Sequence, residues 1–234
     1  KSITLVFIGM GIFRGANTNN VQANLILDAS SERSYSGNGS TWFDLSGNGH
    51  NADIYGTPSF SLLGGAKCFV LDSVGDRFNA NVDNNNSSND VTLEAWIYPS
   101  ETELTSGDRG CIIQGSIYLS WVKSSRALSN YWYQATPNGY HNTSTTMDRE
   151  RWHHIMSVWN SSDGNLYQYI NGVLVGTVST VATSGSYYTD LNIGWEGDGR
   201  QFSGGISVIK VYNNVVSGEQ VLQNYNAQKG RFGL

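Results

Sequence analysis

The tightest constraint on this chain is local: Leu166–Ile170 is followed by Asn171-Gly172 and then by Val173–Val178. Two apolar-rich runs joined by Asn-Gly form a two-residue hairpin, because both central residues accept the positive φ that a right-twisted ribbon requires. The same pattern recurs along the sequence. Val91–Tyr98 alternates Val91, Leu93, Ala95 and Ile97 against Thr92, Glu94, Trp96 and Tyr98, the period of a strand. Trp152–Trp159, Leu191–Trp195 and Ile206–Tyr212 read as strands too, with shorter runs at Leu25–Asp28, Lys67–Asp72, Cys111–Gln114, Ile117–Val122 and Tyr131–Gln134. Turn clusters separate them, among them Ser36-Gly37-Asn38-Gly39, Ser46-Gly47-Asn48-Gly49, residues 83–89 and Ser161–Asn165. Many short strands punctuated in this way predict an all-β, two-sheet antiparallel sandwich. One short helix is expected near the end. Ser217-Gly218-Glu219-Gln220 has the form of a capping box, and Val221, Leu222 and Tyr225 give an apolar stripe ending near Asn226.

Composition agrees with that reading. Charged residues are only 14% of the 234, so 27 Gly and 24 Asn supply much of the polar and turn-forming surface. The length suits one large all-β domain with a core that needs no covalent staples. A net charge of −5 without a basic stripe argues against nucleic acid as a partner. Seven Trp and thirteen Tyr are mostly expected in cross-strand packing, with a few free to stack on sugar rings. Cys68 and Cys111 form neither a disulfide framework nor a zinc pattern. One bridge or two buried thiols are both compatible with the spacing.

Residues 1–23 are set apart as an apolar arm, and residues 24–234 as the sandwich domain. Lys1, the apolar run through Phe13 and Val21-Gln22-Ala23 have the layout of a secretory leader. The run is too short to span a bilayer. It is read as one or two β-strands, built around Ile3, Leu5, Phe7, Ile12 and Phe13, kept in the sandwich or donated to a neighbouring subunit.

Several motifs occur in a familiar order: Leu25-Ile26-Leu27-Asp28-Ala29, Thr41-Trp42-Phe43-Asp44-Leu45-Ser46-Gly47-Asn48-Gly49, Thr92-Leu93-Glu94-Ala95-Trp96-Ile97-Tyr98-Pro99, Arg151-Trp152-His153-His154-Ile155, the hairpin at Asn171-Gly172, Phe202-Ser203-Gly204-Gly205-Ile206 and Val211-Tyr212-Asn213-Asn214. From about residue 24 to the end the chain resembles laminin G-like jelly rolls of the concanavalin A-like lectin/glucanase superfamily. The combination of Asp28-Ala29, Ser34-Tyr35, Asp44–Gly49 and the ending Asn224–Gly233 is similar to domains of tailed-phage virion proteins. That resemblance implies a non-enzymatic capsid decoration or fibre protein, on the virion surface and oligomeric in its assembly. A secreted adhesin or filament subunit using strand donation is the alternative. It also implies one structural calcium near Asp44 and Asn48, with Asp72 or Asp76 nearby. Against the calcium, Ser207 and Val208 stand where many relatives carry acids, and Asp44 is equally suited to capping its own turn.

Catalysis finds little support. Retaining glucanases of this fold carry Glu-x-Asp-x-x-Glu on one strand, whereas here Glu94 is followed at that offset by Trp96. His153 and His154 are adjacent on a strand and point to opposite faces, so they form no two-His metal site. Ser36–Trp42 is similar to a sialidase Asp-box but lacks the Asp. Cell-surface glycans are the ligand class considered. Two regions mix aromatic and amide or acidic groups. The first is Tyr131-Trp132-Tyr133 with Asn138, Tyr140 and His141. The second is Tyr187-Tyr188 with Asp190, Trp195, Glu196 and Asp198. Trp132, Tyr133, Tyr140, Tyr187, Tyr188, Trp195 and Asp198 are the candidate contacts.

Overall fold

The computed structural model describes residues 23–82, 90–115, 117–132, 135–136, 139–179, 181–182, 190–195, 197 and 199–234. The expected arm at Ile3, Leu5, Phe7, Ile12 and Phe13 lies outside these residues. In chain order the described strands are β1 (Ala23–Asp28), β2 (Thr41–Trp42), β3 (Ala52–Tyr55), β4 (Ser59–Leu63), β5 (Ala66–Leu71), β6 (Arg77–Asn81), β7 (Val91–Pro99), β8 (Arg109–Gln114), β9 (Ile117–Val122), β10 (Ala127–Trp132), β11 (Ala135–Thr136), β12 (Gly139–Thr146), β13 (His153–Asn160), β14 (Asn165–Ile170), β15 (Val173–Ser179), β16 (Val181–Ala182), β17 (Asp190–Ile193) and β18 (Gly204–Tyr212). Helix α1 (Gly218–Gln228) and a 3-10 turn (Lys229–Phe232) close the chain.

Two sheets make the sandwich. The first runs β15-β14-β13-β7-β18-β5-β4, and the second β12-β10-β9-β8-β17-β6-β3-β2. The long strand β18 pairs with β7 along one edge. On its other edge it pairs with β5 through Gly204–Ile206 and with β1 through Val208–Tyr212. Asn171 (φ 51°) and Gly172 (φ 78°) turn the β14–β15 hairpin, with Ile170 opposite Val173, as the sequence predicts. The inward faces meet in one core that includes Leu25, Leu27, Leu93, Ala95, Ile97 and Ile206 from the first sheet and Trp42, Phe78, Ile112, Leu119, Leu128 and Ile193 from the second. A polar lock crosses this core. Asn130 of β10 accepts from Ser157 Oγ (3.0 Å) and Gln168 Nε2 (2.8 Å) and donates to the Tyr118 carbonyl (3.0 Å). Because its members are satisfied, the lock fixes how the sheets face each other without stranding buried polar atoms.

The alternation in Val91–Tyr98 predicts one buried and one polar face, and the structure departs from it. Thr92, Glu94 and Trp96 are as buried as their neighbours, because α1 and the 3-10 turn lie across the outer face of the first sheet. Phe232 stacks on Trp96 at 3.9 Å between ring centroids, Trp96 Nε1 donates to Gln228 Oε1 (2.7 Å), and Trp152 flanks Phe232. The predicted capping box forms: Ser217 Oγ accepts from Gln220 N–H and Gln220 Oε1 from Ser217 N–H. The helix buries Val221 and Asn224, and Leu222 is exposed, contrary to the expected apolar stripe.

Asn224 is buried because it meets Glu94. Glu94 Oε1 takes Lys210 Nζ at 3.0 Å and lies 3.3 Å from His154 Nε2, while Oε2 accepts from the Tyr212 hydroxyl (2.8 Å) and Asn224 Nδ2 (2.9 Å). Burial alone would push this carboxyl up. The Lys210 ammonium, the His154 imidazole and the Tyr212 hydroxyl reverse that and hold it far below the usual carboxylate range. The thiols stay separate: Cys68 and Cys111 are both free and buried, and burial pushes Cys68 up to about 12. Among the described residues, no helix is long and apolar enough to cross a membrane.

A buried ion pair that loses one member costs about 3–5 kcal/mol, so Glu94→Gln is expected to lower urea stability at pH 7 by about that much. Since the Glu94 pKa is depressed on folding, its contribution is complete above the unfolded glutamate value of about 4.3 and is lost as pH falls below it. Urea midpoints from pH 7 to pH 3 should therefore fall less steeply in Glu94→Gln than in the parent. Parallel profiles would exclude this role for Glu94.

Candidate functional site

Helix α1 covers much of the first sheet, whereas the second sheet keeps a half-exposed outer face. Its strand register places one residue from each strand in a continuous row: Thr41, Asp53, Asn79, Asn192, Gln114, Tyr118, Tyr131 and Tyr140. At strand spacing, eight neighbours span roughly 34 Å. The middle of the row is hydrogen-bonded side chain to side chain. Asn79 Nδ2 donates to Asn192 Oδ1 (3.2 Å), Asn192 Nδ2 to Gln114 Oε1 (3.0 Å), and Gln114 Nε2 to the Tyr118 hydroxyl (3.1 Å). An amide carries two donor hydrogens and two acceptor lone pairs, so each half-exposed amide keeps bonding capacity for a hydroxyl that both donates and accepts. The row then becomes aromatic. Tyr118 and Tyr131 have ring centroids 5.5 Å apart, and Tyr131 and Tyr140 4.6 Å apart.

Two guanidinium groups flank this row. Arg77 of β6 lies over the Tyr55 ring at 4.5 Å and over Trp195 at 4.9 Å. Arg109 of β8 reaches Tyr140 of β12, with its guanidinium carbon 3.6 Å from the ring centroid, and Arg200 approaches the same ring at 5.9 Å. Between β8 and β12 the face carries Cys111, Ser120 and Ser129, which pair in register and are fully buried.

Of the aromatic candidates, Tyr140 and Trp195 lie on this face. Trp132 does not. Its neighbour Tyr131 points outward, so Trp132 points into the core, where it is 3% exposed and packs edge-on against Trp159 at 4.3 Å. No ring face is left for a sugar. Tyr133, Tyr187, Tyr188 and Asp198 lie outside the described residues. Sequence reading missed Asn79, Gln114, Asn192, Arg77 and Arg109. Each sits at an outward position of a strand, and only the pairing of strands distant in sequence brings them together.

The residues implied for calcium do not form a cage. Asp44 Oδ1 accepts from the backbone N–H groups of Ile26 and Ser46, and Oδ2 from Ser46 Oγ and the His50 N–H. Asn48 Nδ2 donates to the Asn24 carbonyl (2.9 Å). Asp76 belongs to a different loop, and accepts from the N–H groups of Thr57, Asp72 and Ser73. Asp72 is exposed and accepts from Ser59 Oγ at 3.3 Å. The half-buried Asp44 and the buried Asp76 thus both accept from hydrogen-bond donors, where a calcium site would aim carboxylates at one point with carbonyls and amides. Among the described residues, no group of three or more His, Cys, Asp or Glu side chains could hold a metal ion.

The concanavalin A-like lectin/glucanases superfamily model for laminin G-like domains matches residues 72–222, more than half of the chain, and the protein belongs to this family. A comparison with curated protein sequences finds no match. Among solved structures, the chain is similar to the botulinum neurotoxin serotype D binding domain, with a TM-score of 0.68 at 18% identity. It is similar to the serotype D ligand binding domain in complex with N-acetylneuraminic acid (TM-score 0.66, 18% identity) and to the binding domain of botulinum neurotoxin DC in complex with rat synaptotagmin II (0.67, 14%). In each case 89% of this chain covers 52% of the other, so it spans about half their length. Identities this low establish the jelly-roll fold alone.

Two outcomes check the assignments of core and clamp. Trp132→Ala should cost about 3–5 kcal/mol of stability, as a buried aromatic truncation does, measured by urea unfolding. Millimolar calcium or EGTA should leave the melting temperature unchanged, and a calcium-dependent rise would show that Asp44 or Asp76 turns toward an ion.

Proposed function

We propose that this protein is a non-enzymatic binding and display domain that holds saccharides on the outer face of its second sheet. The carrying observation is the row in which bonded amides (Asn79, Asn192, Gln114) run into a tyrosine trio (Tyr118, Tyr131, Tyr140). A pyranose offers hydroxyls at its edge and C–H groups on its face, and amides and aromatic rings side by side match both. The strands of that face carry two described carboxylates, Asp53 and Asp190, two strands and two residues apart in register. By strand geometry that is roughly 12 Å, wider than the carboxyl separations of retaining or inverting glycosidases. Glu94 sits under α1 in a saturated network, out of reach of any substrate. The neurotoxin domains in complex with N-acetylneuraminic acid and with synaptotagmin II are binding domains that share this fold, which favours the same class of role.

The display role places the domain on a virion surface, as capsid decoration or fibre, on the strength of its motif resemblance. Its apolar arm would add as a strand to a neighbouring subunit. Among the described residues, β15 is an end strand of the first sheet, and its Val173 is 61% and Leu174 48% exposed. Open edges with exposed apolar side chains invite strand pairing.

On a glycan array, Tyr131→Ala should abolish most saccharide binding with little loss of stability, because Tyr131 is half-exposed. Unchanged binding would exclude this face. Deleting residues 1–22 or introducing Val173→Lys should each convert oligomers to monomers in light scattering. Oligomers that survive both would refute strand addition, and copurification with cell-surface filaments instead of phage particles would replace the virion by an adhesin.

A further inference from the structure

Neither Arg77 nor Arg109 has a carboxylate partner among the described residues, although the chain carries a net charge of −5. Four of the six other described arginines, Arg126, Arg149, Arg151 and Arg231, pair with Asp or Glu. Arg77 and Arg109 are held by aromatic rings, at 4.5 Å from Tyr55 and 3.6 Å from Tyr140. Arg77 Nη1 also donates to the Gly75 carbonyl (3.2 Å), and stacking fixes the plane of each guanidinium, so that its remaining edge N–H groups can meet a carboxylate or sulfate.

The Ser120 hydroxyl and Arg109 Nε are buried without a hydrogen-bond partner among the described residues, and Ser120 pairs in register with Cys111 and Ser129. A buried donor left unmade costs free energy, and a ligand acceptor reaching Arg109 would meet a guanidinium that the chain leaves short of partners. The Arg77 and Tyr140 positions are five strands apart, roughly 24 Å, which no single sugar bridges.

Resting on the saccharide-binding reading above, we infer that the ligand is a linear anionic polysaccharide, whose carboxylate or sulfate groups are received by Arg109 and Arg77 while its neutral hydroxyls meet the amide row between them. Lysine keeps the charge but neither stacks as a plane nor forks, so Arg109→Lys should behave as a loss of the site.

The test is calorimetric titration of the full chain with three polymers: polygalacturonate, dextran sulfate and uncharged dextran. Polygalacturonate or dextran sulfate should bind at least about 10-fold more tightly than dextran, the effect of one charge-assisted hydrogen bond or more, and whichever binds better identifies the anionic group. Arg109→Ala, Arg109→Lys and Arg77→Ala should each weaken that binding about 10-fold, with thermal melts confirming a folded protein. Arg33→Ala, at an exposed position away from the face, should not. Equal binding of charged and neutral polymers, weakened by Tyr131→Ala but not by Arg109→Ala, overturns the anionic inference and leaves the saccharide reading standing. Equal weakening by Arg33→Ala overturns it as non-specific charge attraction. Binding to none of the polymers, together with a silent glycan array, ends both.

Discussion

One buried carboxylate organises this molecule. Glu94 on β7 gathers Lys210 and Tyr212 from β18, His154 from β13 and Asn224 from α1. An ionised group in such a place is tolerated only because its lone pairs are met by charged or polar donors, and those donors come from three strands' length of sheet and the last helix. The network therefore dictates where the helix must lie. Once α1 is drawn over Glu94, Trp96 becomes the floor for Phe232, and the outer face of the first sheet turns into a second interior. The outer face of the other sheet is what remains open, so the position of the proposed site follows from a pair of charges on the far side of the sandwich.

Two further carboxylates do related work at smaller scale. Asp44 ties the start of β1 to the turn that follows it, through the N–H groups of Ile26, Ser46 and His50. Asp76 gathers Thr57, Asp72 and Ser73. In each case a fixed negative charge satisfies backbone donors that a loop would otherwise leave to water. The same residue types on flexible oxygen-rich loops suggest an ion when read as a motif. In this structure backbone N–H groups point at the carboxylate oxygens of Asp44 and Asp76.

What the sequence made legible divides along physical lines. The Asn171-Gly172 hairpin, the capping box at Ser217 and the long strands β7, β13 and β18 follow from local rules, since periodicity and turn chemistry act over a few residues. The strands β3, β4, β6 and β12 escaped that reading because they are short or polar: Gly139–Thr146, for example, contains a single buried position. Trp132 was misplaced by one residue of alternation, and in a strand one residue is the whole difference between core and solvent. That Glu94 does not fit a catalytic carboxylate pattern was legible, but its partners were not, since Asn224 lies 130 residues away. Of the face itself, Tyr140 and Trp195 could be named from composition, whereas the amides could not.

The amide row is also the last part of that face to come together. Asn79 and Asn192 are separated by 113 residues and Gln114 and Asn192 by 78, so the row exists only after β17 has inserted between β6 and β8. Contacts of such long range form late, after the loops between them have been closed. On the saccharide reading proposed above, a growing chain has no site until β17 has emerged with Asn192, so recognition waits on closure of the second sheet.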